Sequence, residues 1–141
     1  MSDNFTVQHR EIGMLRIFMK PSDRIGPRSV RKLWGAKPLY RELIQTAKAD
    51  GIINAVAQHT HYGFSNHGPI RENGTESADP HLTICVELVG ERDQLDLFCR
   101  RHGELLGDKV IVYKQLEHWS VTPTSIDRND AAPAGSAEPE A

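Results

Sequence analysis

Hydrophobic and polar residues alternate along two short segments of the chain, and two further short segments are rich in hydrophobic residues, so that four β-strands are predicted,. The clearest alternation places Leu82, Ile84 and Val86 on one face of a strand. In chain order, the predicted strands span residues 14–20, 52–60, 82–89 and 110–116.

Two other segments repeat hydrophobic residues at the spacing of an α-helix. Pro38 stands at the favoured first turn of one helix, which ends at Gly51,. The second helix lies between Glu91 and Leu106 and is ended by Gly107. Acidic residues near its start complement the helix dipole.

The predicted elements alternate as β-α-β twice, which is a weak internal repeat of the ferredoxin-like kind. With right-handed crossovers, both helices pack on the same face of the sheet. The predicted fold class is therefore α/β (α+β). It is a ferredoxin-like βαββαβ two-layer sandwich, with a four-stranded antiparallel sheet and two helices on one face.

The two ends of the chain are expected to lie outside this domain. Residues 1–12 are predicted to form a flexible N-terminal arm. Residues 121–141 are rich in alanine, proline, serine and acidic residues, so burial would not offset the entropy lost on ordering them. We predict a domain over residues 13–120, followed by a disordered acidic tail.

Composition and charge exclude several classes of protein. The 141 residues carry a net charge of −2 at pH 7, which argues against a general nucleic-acid binder. No hydrophobic run approaches the roughly 20 residues of a membrane span. Residues 1–10 also lack the hydrophobic region of a signal peptide,. We therefore expect a cytoplasmic protein that does not itself span a membrane.

The charges are unevenly distributed along the chain. Residues 1–37 hold eight lysines and arginines against three acidic residues, and most of these cations follow the first strand. This basic segment, residues 21–37, is one of two connections longer than the predicted fold requires. It is either a site for phosphate or an acidic partner, or a solvated cationic face.

The second long connection, residues 61–81, is where most of the candidate chemistry lies. Its glycines and the turn-forming pair Asn73-Gly74 indicate mobility,. Tyr62 and Gly63 stand where the loop begins, so the backbone there would approach a phosphate closely beside an aromatic ring. We expect this loop to order when it meets a ligand.

Four histidines in and beside this loop raise the alternative of a metal site. His59 and His61 alternate along the predicted second strand and would project from the same face,. Together with His67 or His81 they would bind Zn²⁺ or Cu²⁺, as in a divalent-metal-binding or metal-tolerance module. The other interpretation is a set of solvated or hydrogen-bonded histidines.

The sequence contains no recognisable catalytic motif, such as a nucleophile elbow, a Walker loop or His-Glu-x-x-His,. Cys85 and Cys99 lie in hydrophobic-periodic segments and are expected to be buried, inert thiols,. For RNA binding on the sheet, Phe18 and Tyr113 are the only candidate stacking residues,. We therefore predict that the protein is not an enzyme and does not bind nucleic acid.

Several short motifs give the chain a family resemblance. They are Leu15-Arg16-Ile17-Phe18, Lys37-Pro38-Leu39-Tyr40, Ala49-Asp50-Gly51-Ile52 and Tyr62-Gly63. With the order of the elements that follow, residues 13–117 resemble the PII-like superfamily of trimeric signalling proteins. Within it they are similar to the branch labelled domain of unknown function 190.

The resemblance implies a homotrimer whose sheets face inward. It implies a small effector, an adenine nucleotide (ATP, ADP or AMP), bound in the clefts between subunits. Residues 61–81 would be the mobile T-loop, which controls a partner such as a membrane transporter or an enzyme. The ligand-binding residues that the resemblance implies are Lys20, Tyr62, Gly63, Arg71 and Lys114, and it implies no catalytic residue.

Overall fold

Six strands and three helices make up the regular structure of the described residues, which are 4–26, 36–73 and 80–124 of a computed structural model. Part of the basic segment 21–37 and part of the loop 61–81 lie outside the described residues, as does most of the predicted tail. The elements are β1 (Phe5–Met19), α1 (Leu39–Ala49), β2 (Asn54–His59), β3 (Tyr62–Gly63), β4 (Arg71–Glu72), β5 (Ile84–Gly90), α2 (Arg92–Arg101), α3 (Gly103–Leu106) and β6 (Val110–Pro123).

Four of the strands form one sheet in the order β2-β5-β1-β6. Strand β5 pairs antiparallel with both β1 and β2, so Val86 lies opposite Ile17 on one side and Ala57 on the other. This order is the one expected when two β-α-β units interleave. The predicted ferredoxin-like sandwich with a four-stranded antiparallel sheet is therefore confirmed.

The hydrophobic core lies between this sheet and the helices. Alternate residues of β1 and β5 are buried in pairs across the ladder, as with Leu15 opposite Leu88. Helix α1 contributes Leu43 and helix α2 contributes Phe98, both with almost no exposed surface. The strand residues that repeat with a period of two and the helix residues that repeat with a period of 3.6 therefore pack together in one hydrophobic layer.

The second helix is shorter than predicted, because the helical backbone breaks at His102 between α2 and α3. The His102 ring packs against the Phe98 ring in a tilted arrangement, with the ring centroids 4.7 Å apart. Its Nε2 lies 2.9 Å from Asp50 Oδ2 at the end of α1. The side chain of His102 thus joins the ends of two helices.

The opposite face of the sheet carries both charged and hydrophobic side chains. Arg16 Nε donates a hydrogen bond of 2.9 Å to Glu87 Oε1, while Val56 and Val112 are exposed. Cys85 also lies on this face, between Phe18 and Gln58 of the neighbouring strands. Because the helices pack on the other face, this surface is open in the single chain.

Contacts divide the chain into two units, one of residues 12–116 and one whose described parts are residues 4–11 and 117–124. In the second unit, the Thr124 N–H donates to the carbonyl of Asn4 at 3.2 Å. The rings of His9 and Trp119 stack with centroids 4.4 Å apart. His9 lies near the start of β1 and Trp119 near the end of β6, and Asn4 and Thr124 flank the same two strands.

The first and last strands therefore extend further toward the two chain termini than predicted. Strand β1 includes residues 5–12, which were expected to form a flexible arm, and β6 includes residues 121–123, which were assigned to the tail. Phe5 and Val7 do alternate with polar residues, but too sparsely to be recognised without the paired strand. Residues 125–141 of the predicted tail lie outside the described residues.

Within the described residues, none of the helices is long and hydrophobic enough to cross a membrane.

Candidate ligand-binding pocket

A pocket of about 210 Å³ lies where the end of β1 meets the start of β6. Its walls come from residues 18–23, from the segment 65–71, from residues 81–83 before β5, and from residues 108–110. All of these residues belong to the unit of residues 12–116. The order of the sheet explains the location, because β1 and β6 are neighbours.

One wall of the pocket is a small hairpin that the sequence did not predict. Strands β3 and β4 pair antiparallel, with Tyr62 opposite Glu72 and Gly63 opposite Arg71. The turn between them is closed by a 3.0 Å hydrogen bond from the Gly68 N–H to the Ser65 carbonyl. This hairpin occupies the first half of the predicted loop 61–81.

The turn of the hairpin has an unusual backbone. Asn66 and His67 have φ values of 53° and 59°, and two consecutive left-handed residues are typical of the type I′ turn that suits a hairpin. Asn66 Nδ2 also donates to the carbonyl of Asp108 at 3.5 Å. The turn is thereby joined to the segment that begins β6.

One enclosed cation of the pocket is Lys109, whose side chain is only 13% exposed. Its Nζ lies 3.1 Å from Asp23 Oδ2 and 3.1 Å from Asp108 Oδ1. The same Oδ2 of Asp23 accepts the Lys20 backbone N–H at 3.0 Å. The Asp23 carboxylate therefore connects the turn after β1 to the start of β6.

The charges lining the pocket leave a small positive excess. Lys20, Arg71 and Lys109 contribute three positive charges, while Asp23 and Asp108 contribute two negative ones. The net charge is +1 when the His81 ring, which lies 3.5 Å from the Ser22 hydroxyl oxygen, is neutral. Lysine and arginine side chains converging in this way are suited to binding an anion.

The structure brings together two of the five predicted ligand-binding residues. Lys20 and Arg71 line the pocket, whereas Tyr62, Gly63 and Lys114 do not. Tyr62 and Gly63 lie in strand β3 of the hairpin, with the Tyr62 ring exposed, and Lys114 lies on the exposed part of β6. The roles of all five residues stay predictions.

The proposed metal ligands are not arranged as the sequence suggested. Strand β2 ends at His59, so His61 lies beyond it and the argument that both project from one strand face no longer applies. The His59 ring instead lies edge-on to Tyr40, with centroids 6.5 Å apart. Among residues 4–26, 36–73 and 80–124, no three His, Cys, Asp or Glu side chains are grouped to hold a metal ion.

Lys109 and Asp23 are the pocket residues that sequence reasoning missed. Each lies outside a predicted strand, in a turn that has an ordinary surface interpretation. The predicted topology contained a usable signal, since the end of the first strand and the start of the last one meet at the same end of a ferredoxin-like sheet. Charged residues at those two positions were therefore candidates for one site.

The cysteines lie apart from this pocket and are poor nucleophiles. Burial raises the pKa of the Cys85 thiol, and the nearby Glu87 carboxylate raises it further. Burial likewise raises the pKa of Cys99, with a smaller effect from Asp96. Because the thiolate is the reactive form, both side chains are held in their unreactive state.

Comparison with known proteins assigns the chain to a family. The family model of DUF190, described as Uncharacterized ACR, matches residues 12–118. No curated protein matches the chain.

Among solved structures, the chain is similar to CPII, a nitrogen regulatory PII-like protein from Thiomonas intermedia K12. A CPII structure bound to ADP and bicarbonate shares 8% sequence identity with a TM-score of 0.52, covering 79% of this chain and 91% of CPII. Another, bound to ADP, AMP and bicarbonate, shares 9% identity with a TM-score of 0.54 and the same coverage, 79% and 91%. Likeness at this identity shows a common fold. Since the family model covers most of the chain, the protein belongs to the DUF190 family, and its fold is the one seen in the PII-like protein CPII.

Proposed function

We propose that this protein is a PII-like regulatory protein, not an enzyme, that binds the phosphates of an adenine nucleotide in the pocket beneath the β3–β4 hairpin. The observation that carries the proposal is the convergence of Lys20, Arg71 and Lys109 on that pocket. Phosphate groups are the ligands that such a set of cations favours. The bound ADP in structures of CPII supports the choice of an adenine nucleotide.

The size of the pocket suits part of a nucleotide rather than the whole. Its volume of about 210 Å³ lies below the roughly 300–1,000 Å³ of typical small-molecule sites. The phosphates fit within it, and the base and ribose need further surface. We propose that a neighbouring subunit supplies that surface, so that the complete site is a cleft between subunits.

The open face of the sheet is the surface on which we propose that subunits associate. Val56 and Val112 are exposed there. The charges of Arg16 and Glu87 on the same face are paired with each other. Hydrophobic surface of this kind is typical of contacts between copies of one chain. The resulting assembly is a homotrimer with its sheets facing inward.

The β3–β4 hairpin is the part of the molecule through which a bound effector would act. It lines the pocket with Ser65 and Arg71, while the side chains of Tyr62, Phe64 and Ile70 are exposed. A ligand that contacts the inner residues shifts the population of hairpin conformations. A partner such as a transporter or an enzyme then recognises the outer residues. Tyr62, Gly63 and Lys114 are candidate contacts for the part of the effector outside the pocket.

Calorimetric titration of the full chain with ATP, ADP and AMP tests the proposal, together with a native mass spectrum. We expect binding of at least one nucleotide and a trimeric mass. Lys109→Ala should weaken binding at least tenfold, because it removes an enclosed cation. Lys48→Ala, on the exposed end of α1, is the matched control and should bind as the wild type does.

Three results would contradict the proposal. They are a failure of the wild type to bind any of the three nucleotides, equal weakening by the two lysine variants, and a monomeric mass. Turnover of ATP during the titration would contradict the non-enzymatic part alone.

A further inference from the structure

The enclosed cation of the pocket already has partners before any ligand arrives. Lys109 Nζ lies 3.1 Å from an oxygen of Asp23 and 3.1 Å from an oxygen of Asp108. The two carboxylates differ in exposure, since the Asp108 side chain is 80% exposed and that of Asp23 is 26% exposed. Solvent therefore screens Asp108 much more than Asp23.

The Asp23 carboxylate is also held firmly in place. Its Oδ2 accepts the Lys20 N–H at 3.0 Å. The adjacent carbonyls of Pro21 and Asp23 accept hydrogen bonds from Arg24 Nη1 at 2.7 Å and 3.2 Å. Since the turn fixes this carboxylate at the pocket wall, an incoming anion meets a negative charge that is not free to rotate away.

Repulsion between a fixed carboxylate and a ligand grows in proportion to the charge of the ligand. The cost of displacing Lys109 from Asp23, by contrast, is the same for every anion that takes its place. The first effect therefore discriminates among anions, whereas the second only lowers all affinities together. The net pocket charge of +1 still attracts highly charged ligands more strongly, and the Asp23 carboxylate reduces that preference.

We infer that Asp23 determines which anions the pocket accepts, penalising each ligand according to its negative charge. The penalty is larger for a ligand with three phosphate groups than for a ligand with one or two, unless a cation accompanies the longer chain. This inference rests on the proposed function, because it assigns the charge selectivity of the same pocket.

The decisive variant is Asp23→Asn, which removes the charge and keeps an oxygen that accepts the Lys20 N–H. Asp96→Asn is the matched control, because Asp96 pairs with Arg100 on the exposed surface of α2. Binding is measured by calorimetry without divalent cations for two series of probes. One is inorganic phosphate, pyrophosphate and tripolyphosphate, and the other is AMP, ADP and ATP.

In the Asp23→Asn variant we expect the affinity for inorganic phosphate to rise about threefold and that for tripolyphosphate about tenfold or more. The difference should shrink at high ionic strength. Asp108→Asn should increase the affinities in the same order but by smaller factors, and Asp96→Asn should leave all the affinities unchanged. An Asp23→Asn variant that strengthens all three probes equally, or none of them, overturns the inference.

The two probe series separate this inference from the proposed function. If the inorganic series responds as expected and no nucleotide binds, Asp23 sets charge selectivity in a site for a different anion. If nucleotides bind and Asp23→Asn leaves their order of affinity unchanged, the proposed function stands and the inference fails. Should Asp23→Asn fail to fold, Asp23→Ser removes the same charge and the same criteria apply.

Discussion

Replacing Gly13 by alanine tests how closely strands β1 and β6 pack. The Cβ of an alanine at position 13 would lie 2.5 Å from Cε2 and 2.6 Å from the hydroxyl oxygen of Tyr113. Carbon atoms in contact are normally about 3.5–4.0 Å apart, so the tyrosine ring has to move by about 1 Å. Moving it also disturbs its contact with the Arg92 guanidinium, whose carbon lies 5.3 Å from the ring centroid.

The expected loss of stability follows from three contributions. Overpacking of this kind costs about 1–3 kcal/mol, and the lost cation–π contact costs about 0.5–1 kcal/mol. Replacing a glycine within a strand recovers about 0.5–1 kcal/mol of backbone entropy. We therefore expect Gly13→Ala to lower the free energy of unfolding by about 1–3 kcal/mol.

Urea unfolding at a fixed protein concentration measures this change. In a Tyr113→Val background, the same Gly13→Ala substitution should cost little, because the obstructing ring is gone. Gly103→Ala is the matched control, since nothing lies within 4 Å of the added Cβ. A Gly13→Ala protein as stable as the wild type, or an equal loss in the valine background, would refute the proposed contact.

Two further substitution and labelling experiments follow from the backbone and the buried thiols. His67→Gly should stabilise the β3–β4 turn by about 1 kcal/mol, because His67 has a φ of 59° and glycine adopts that conformation without strain; thermal unfolding with no gain would contradict this. Burial raises the pKa of Cys85, so its alkylation in the folded protein should stay slow until the pH is well above the usual thiol range. Because the folded protein raises the pKa of Cys85, the neutral thiol contributes to the stability of the folded state. That contribution is present below the pKa of the unfolded chain, about 8.5, and is lost as the pH rises through the pKa of Cys85 in the folded protein,. Mass spectrometry after timed iodoacetamide treatment should show Cys99, which is only half-buried, modified before Cys85, and the reverse order would count against the burial argument.

The ferredoxin-like fold was predictable because its core residues form local patterns. Ile17 and Val86 each stand in an alternating segment, and Leu43 stands in a helical stripe, so each face is identified by its neighbours in the sequence,. Two such β-α-β patterns then leave few topologies. The break at His102 was not predictable in this way, since its contact is with Asp50 at the end of another helix.

The candidate site was predicted only in part, because its decisive contacts are long-range. Lys20 and Arg71 were identified as candidates, but the ion pair between Asp23 and Lys109 joins two turns that are far apart in sequence. The β3–β4 hairpin was missed for a different reason. Its turn places Asn66 and His67 where asparagine-glycine pairs are most common,, so the usual sequence signal is absent.

The proposed association through the open face of the sheet makes a prediction that the fold itself does not. Val112 lies on that face with 39% of its surface exposed, and Leu97 lies on helix α2 with 45% exposed. Since the two side chains are similarly exposed, an aspartate at either position should have a similarly small effect on the stability of the isolated chain. At a contact between copies, however, an unpaired buried carboxylate is strongly unfavourable.

We therefore expect Val112→Asp to lose the trimeric mass in a native mass spectrum and Leu97→Asp to keep it. If both variants stay trimeric, the sheet face is not the contact between subunits. If both dissociate, the effect belongs to the added charge and not to the face that carries it.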